Sequence, residues 1–132
     1  MSDRSILLVD DDDDDCFLFQ DALGEVDDTA GLTMISSCDQ LLTVLNNGTD
    51  LPDLIVMDLN MPKRNGFECI ECLKVKKELR EIPVVIFSTS PNDQGIDIHD
   101  RGAMEYIAKP NTFRALKEIV ARLLSMDLEK LR

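Results

Sequence analysis

Asp10 and Asp11 directly follow the apolar run ILLV (6–9), Asp58 follows LIVM (54–57), Ser88 and Thr89 follow VVIF (84–87), and Lys109 follows YIA (106–108). Three carboxylates brought to one place repel one another: two unit charges ~4 Å apart cost about 4 kcal/mol at an effective dielectric near 20. A hard divalent cation offsets that repulsion. Mg²⁺ in particular takes one or two carboxylates with waters and leaves positions for phosphate oxygens. Lys109 adds a fixed positive charge. Such a set suits phosphoryl transfer, where catalysis is mostly positioning and charge stabilisation around the transferred group. An aspartate carboxylate is a competent nucleophile there and forms an acyl phosphate. Asp58 is the better nucleophile because it stands alone after its run, whereas Asp10 and Asp11 are paired as a metal site requires. The Ser88 hydroxyl is suited to donating to the new phosphoryl oxygens.

Those residues act together only if the chain delivers them to one edge. The runs ILLV, LIVM and VVIF are continuous rather than alternating, the pattern of strands buried on both faces. TMIS (33–36) and YIA supply two weaker strands. Between the strands, apolar residues recur at helical spacing: Phe17, Leu18 and Ala22; Leu41, Leu42 and Leu45; Phe67, Ile70 and Leu73; Leu116, Ile119, Val120 and Leu123. A fourth helix is expected over 92–101, on the thinnest pattern of the five. Breakers separate the segments: NNG after the second helix, Pro52, MPKRNG after the third strand, Pro83, Pro91 and Pro110. Five repeats of strand then helix imply an α/β fold, a parallel sheet covered on both faces. In such sheets ligands sit beyond the carboxyl ends of the strands, which is where the candidate residues fall.

The 132 residues, 44% of them hydrophobic, suit one domain with a conventional core. Asp and Glu outnumber Lys and Arg 26 to 14, for a formal charge of -12, so most of the surface should repel nucleic acid. The early charges and the lack of a long apolar segment argue against a signal peptide or membrane span and for a cytoplasmic protein. Cys16, Cys38, Cys69 and Cys72 stand among apolar neighbours, and buried thiols in a reducing compartment are the expectation. Cys69 and Cys72 form C-x-x-C, but the single histidine, His99, completes no metal set.

LLVDD, VMDLNMP, Ser88 before Thr89, and GAMEYIAKP, in this order, resemble the receiver domain of two-component response regulators across essentially the whole chain. The resemblance implies the flavodoxin-like, doubly wound five-stranded parallel sheet of order 2-1-3-4-5 with five helices. It also implies a single receiver domain over 1–132 without an output domain. Position by position, it makes Asp58 the phosphoacceptor, Asp10 and Asp11 the acidic pair around Mg²⁺, and Asn60 the residue whose backbone carbonyl completes the metal shell. Ser88 becomes the switch hydroxyl, Lys109 the phosphate-contacting lysine, and Tyr106 the aromatic that turns inward on activation. Asn60 and Ser90, two residues beyond motif positions, become the pair that tunes attack of water on the acyl phosphate; both are small and polar, so a short to intermediate phosphorylated lifetime is expected. The Lys109–Pro110 bond is expected cis. The segments STSPNDQGIDIHD and NTFRALKEIVARLL are similar to the stand-alone receivers that partner phytochrome-type sensor kinases.

The six consecutive aspartates, Asp10 to Asp15, then divide in two. Asp12 to Asp15 are expected to start the first helix, where negative charge complements the dipole and caps free amides. A calcium loop starting at Asp10 fails: its required glycine would be Asp15, its last ligand Asp21, and a strand precedes it. His99 has no neighbour that would make it a phosphodonor. The function expected is that of a single-domain response regulator that takes phosphate from a histidine kinase, with a possible histidine phosphotransfer partner, and signals by protein contact. It is not expected to be an enzyme beyond its own phosphoryl transfer and dephosphorylation. The alternatives are a phosphorylation-independent adaptor and a small Mg²⁺-dependent phosphohydrolase, though no second acid/base or substrate cap is visible for the latter. A homodimer through the fourth and fifth helices and the last strand is expected because the final apolar stripe extends to Leu128 and Leu131.

Overall fold

A strand that is apolar at every position needs cover on both faces, and the chain supplies it. In the computed structural model, residues 4–47, 51–61, 65–89 and 97–126 are described. The elements run β1 (Ser5–Val9), α1 (Asp13–Val26), β2 (Gly31–Ile35), α2 (Cys38–Asn47), β3 (Leu54–Met57), α3 (Gly66–Lys74), β4 (Val84–Ser88), β5 (Glu105–Ala108) and α4 (Phe113–Ser125). All strand pairings are parallel, in the order β2-β1-β3-β4-β5.

Strand residues alternate between two cores. Leu7, Val9, Ile55, Met57, Val84 and Ile86 face α2 and α3, where Leu41, Leu45, Phe67, Ile70 and Leu73 close over them. Ile6, Leu8, Leu54, Val56, Val85 and Phe87 face α1 and α4, under Phe19, Leu23, Leu116, Val120 and Leu123. Burying each such side chain contributes about 1.5–3 kcal/mol relative to leaving it in water. Because neither face meets solvent, no polar alternation survives in β1, β3 or β4.

The structure corrects four expectations. The buried stripe of α1 is Cys16, Phe19, Ala22 and Leu23, while Phe17 and Leu18 are 57% and 47% exposed. The cause is the continuity of the stripe: Cys16, Phe19, Ala22, Leu23 and Val26 follow one another on one helical face, whereas the face of Phe17 and Leu18 runs on into Gln20, Asp21 and Glu25. Four helices, not five, stand among the described residues. Residues 97–102 form turns capped by the Asp97 carboxylate, which accepts from the amides of His99 and Asp100, and the chain reverses at Gly102, φ +96°. Residues 92–96 of the expected fourth helix, and Leu128 and Leu131 of the expected dimer stripe, lie outside the described residues.

The Lys109–Pro110 bond is trans. A proline lowers the trans preference to about 0.5–1 kcal/mol but leaves trans the default, and here Thr112 caps α4 directly afterwards. Lastly, Cys38 and Cys69 are joined as a disulfide, with Cα atoms 5.6 Å apart, so the four cysteines are not all thiols. The first residue of α2 and the middle of α3 meet on one face of the sheet, at positions that are both buried.

Candidate functional site

β1, β3 and β4 stop side by side, and the ladder continues one residue past the strands. The Asp10 amide donates to the Ile35 carbonyl at 3.0 Å and the Asp58 amide to the Val9 carbonyl at 2.8 Å. Both carboxylates are thus carried on backbone that is still sheet-like in its bonding. Ser88, fully buried, is the last residue of β4, and its carbonyl accepts from the Lys109 amide at 2.9 Å. Each side chain that the strand-end reading assembles therefore sits on the carboxyl edge.

Asp10 and Asp58 are buried, whereas Asp11 is exposed. Among the described residues, one carboxylate oxygen from each of these three lies within 4.8 Å of the others. Lys109 reaches into the cluster. Its Nζ is 2.7 Å from Asp10 Oδ2, 2.7 Å from Asp15 Oδ2 and 3.8 Å from Asp58 Oδ2. The other oxygen of Asp10, Oδ1, accepts from the Asp12 amide at 2.9 Å. Lys109 also lies 5.9 Å from the centre of the Phe87 ring.

The charges answer this crowding. Burial pushes the Asp58 carboxyl up to about 6, with Asp10 adding to the rise against the pull of Lys109. Burial raises Asp10 as well, although the Lys109 hydrogen bond opposes it. For Lys109, burial works against the ammonium, but the hydrogen bonds to Asp10 and Asp15 win and hold its pKa above the usual lysine value. Desolvation raises the Cys16 thiol to about 11, and its Sγ donates to the Asp10 carbonyl at 3.5 Å, so it is an inert wall of the site.

This donor set is all hard oxygen, with two buried carboxylates and one that opens to solvent. Such a set gains by taking a divalent cation, and it matches Mg²⁺-type ions better than a softer metal. The fit rests on Asp10, Asp11 and Asp58.

The remaining expected residues surround that core. The Asn60 amide donates to Asp58 Oδ1 at 3.4 Å, and its side-chain amide donates to Ser88 Oγ at 3.4 Å. Tyr106 pairs in register with Ile86 and packs, half-buried, against the core under α3, on the same face as Ser88. Ser90 lies outside the described residues. Two participants were not anticipated. Asp15 pairs with Lys109 rather than only starting α1; the sequence itself shows only that a helix starting at residue 13 puts it three positions after its cap. The other is Gly66, whose amide donates to the Leu59 carbonyl at 2.8 Å and where any Cβ would lie 2.8 Å from the Asp58 carbonyl oxygen.

An open parallel sheet of this order, with acids and one lysine gathered where β1 and β3 end, defines a flavodoxin-like α/β domain with an ionic pocket at its switch point. The response regulator receiver domain family matches residues 6–121, and the chain belongs to that family. It is 31% identical to response regulator Rcp1 of Synechocystis sp. (strain ATCC 27184 / PCC 6803 / Kazusa), over 98% of this chain and 95% of that protein. The Mn²⁺-bound crystal structure of Rcp1 superposes with a TM-score of 0.77 at 28% identity, covering 98% and 97% of the two chains. The phosphorylated cyanobacterial phytochrome response regulator RcpA superposes with a TM-score of 0.80 at 31% identity, covering 91% and 90%. The chain is thus a receiver-domain protein of two-component signalling. Among the described residues no helix is long and apolar enough to cross a membrane.

Proposed function

We propose that this chain is a phosphorylation-dependent response regulator acting in the cytoplasm, with Asp58 as phosphoacceptor and a histidine kinase as donor. The observation that carries the reading is the buried Asp58 carboxylate, clustered with those of Asp10 and Asp11 and 3.8 Å from the Lys109 ammonium. An Asp58 oxygen attacks phosphorus in line as the nitrogen–phosphorus bond of a phosphohistidine breaks. The imidazole nitrogen leaves with the bonding pair, and an acyl phosphate remains on Asp58. Asp10, Asp11 and Asp58, with the backbone carbonyl of Asn60, would hold Mg²⁺, which when bound neutralises charge on the transferred group. Lys109 supplies the protein's own cation to the phosphoryl oxygens, and the Ser88 hydroxyl donates to them.

The added charge of about -1.5 to -2 draws Ser88 toward the new group and vacates space into which Tyr106 turns, changing the surface on which partners dock. Similarity to RcpA, a phytochrome response regulator, supports a sensor kinase of the phytochrome type as donor. Asn60 and Ser90 set how readily water reaches the acyl phosphate. Output is by protein contact.

The test is labelling with acetyl phosphate or a kinase, with and without Mg²⁺, followed by intact mass. One phosphate per wild-type chain, dependent on Mg²⁺ and lost in Asp58→Asn, is expected. Release of many equivalents of phosphate from a generic ester would point to a phosphohydrolase instead. Intact partner binding and signalling in Asp58→Asn would point to an adaptor.

A further inference from the structure

We infer that Asp15 is a positioning residue for the phosphoryl transfer proposed above: it holds the Lys109 ammonium on the α1 side of the pocket, so a phosphoryl group on Asp58 must win that lysine from a second carboxylate. The inference rests on the receiver reading and concerns only how Lys109 is shared. An ammonium has three donors. Two of them are committed at charge-assisted distance, 2.7 Å to Asp10 and 2.7 Å to Asp15, while Asp58 stands 3.8 Å away. Asp10 is fixed by the sheet and by the Asp12 amide. Asp15 is fixed by the cap that accepts its amide, at 3.1 Å. The lysine therefore sits in a fork built from the end of β1 and the first turn of α1.

The aspartate run is not the ground for this. Asp13 and Asp14 lie in the same turn and are exposed, whereas Asp15 is half-buried and reaches a lysine 94 positions away that is itself only 9% exposed. Asp15 and Lys109 also line one cleft with Leu18, Phe87, Phe113 and Leu116, between α1 and the segment leading into α4.

Removing the Asp15 charge leaves Lys109 with Asp10 alone and frees a donor for the incoming phosphoryl oxygens. The experiment follows acetyl phosphate labelling of the full chain in Mg²⁺ by intact mass, for wild type, Asp15→Asn, Asp15→Glu and Asp14→Asn. In each transfer an Asp58 oxygen bonds phosphorus as the donor's oxygen–phosphorus bond breaks and acetate leaves. Asp15→Asn should label about three- to tenfold faster at limiting donor, the scale of one partly exposed ion pair. Asp15→Glu should return toward wild type, and Asp14→Asn should stay within about twofold of it.

A second readout needs neither metal nor phosphate: the Lys109 ¹⁵Nζ resonance in the metal-free protein. It should be slow to exchange in wild type and Asp14→Asn, and lost to fast exchange in Asp15→Asn. Equal acceleration in Asp14→Asn and Asp15→Asn would mean only general relief of negative potential and would overturn the inference, as would an Asp15→Asn rate and Nζ resonance identical to wild type. A wild type that takes no phosphate at all overturns the receiver reading itself, and this inference with it.

Discussion

A methyl group placed on Gly66 would lie 2.8 Å from the Asp58 carbonyl oxygen and 3.0 Å from the Leu59 Cα. The first turn of α3 is therefore pressed against the backbone that carries the buried carboxylate, and backbone on both sides leaves nothing flexible to give way. The close approach is locked by the Gly66 amide donating to Leu59 and by a capping box in which Asn65 and Glu68 exchange side-chain-to-backbone bonds. Asp58 is thus held from two directions, by the ladder to Val9 and by the end of α3.

Gly66→Ala should then cost about 1–3 kcal/mol in urea unfolding, the range for overpacking a tight site. It should also reduce labelling of Asp58 more than its stability loss explains, because the shift falls on the nucleophile's own peptide. A variant as stable and as quickly labelled as wild type would show that α3 can move away freely.

Charge at Asp58 gives a prediction with a definite sign. Its carboxyl is raised from 3.8 to about 6 in the native state, so protonation favours folding. That contribution is fully present below about pH 4 and is lost as pH climbs to about 6. In metal-free buffer, wild type should therefore lose stability relative to Asp58→Asn across this window and then run parallel to it. Above pH 6 the neutral variant should be the more stable by up to about 3 kcal/mol. Denaturant melts of both proteins from pH 4 to 7.5 in EDTA check this; a difference that does not change with pH would refute it.

How far the residues declared this in advance depends on what each part of the fold hides from water. β1, β3 and β4 were legible because both faces are buried, which leaves an unbroken apolar run whose first polar residue marks the carboxyl edge. Asp10, Asp58 and Ser88 stand at the ends of those runs, whereas Lys109 follows β5, which is only partly buried. Asp15 shows itself in the sequence only as a helix start, because its second role depends on a lysine 94 positions away, which no local pattern contains. Along α1, Cys16, Phe17, Leu18 and Phe19 are all apolar, and what turns Cys16 and Phe19 inward is the stripe they share with Ala22, Leu23 and Val26 further along the helix. The pairing of Cys38 with Cys69 follows from the placing of α2 beside α3, not from the C-x-x-C spacing that drew attention to Cys72.

That pairing is itself checkable. A Cα separation of 5.6 Å falls inside the range that disulfides span. Closing a loop over a sequence separation of 31 removes about 3–4 kcal/mol of chain entropy from the unfolded state. Non-reducing peptide mapping of protein purified in air should find Cys38 linked to Cys69, and dithiothreitol should lower the melting temperature. Cys38→Ser should abolish that sensitivity. A cross-link of Cys69 to Cys72 in its place would contradict the arrangement of α2 and α3.

The last prediction separates cation binding from folding. Asp11 is the exposed member of the carboxylate trio, and its charge is the smallest of the named influences on the buried Asp58 carboxyl. Asp11→Asn should leave metal-free stability within about 0.5 kcal/mol of wild type. Wild type, by contrast, offers two buried carboxylates and one exposed one to a divalent ion, and a ligand that binds only the native state stabilises it by mass action. The gain is about 2.7 kcal/mol when Mg²⁺ is present at one hundred times its dissociation constant. Scanning calorimetry with Mg²⁺ titrated into both proteins should show the wild-type midpoint climbing by several degrees while the variant's barely moves. Because Asp58→Asn is expected to start from higher metal-free stability and Asp11→Asn from unchanged stability, the two variants should reach a similar indifference to Mg²⁺ from different baselines. If Asp11→Asn gains as much from Mg²⁺ as wild type does, the exposed carboxylate is not a ligand and the ion is held by Asp10 and Asp58 alone.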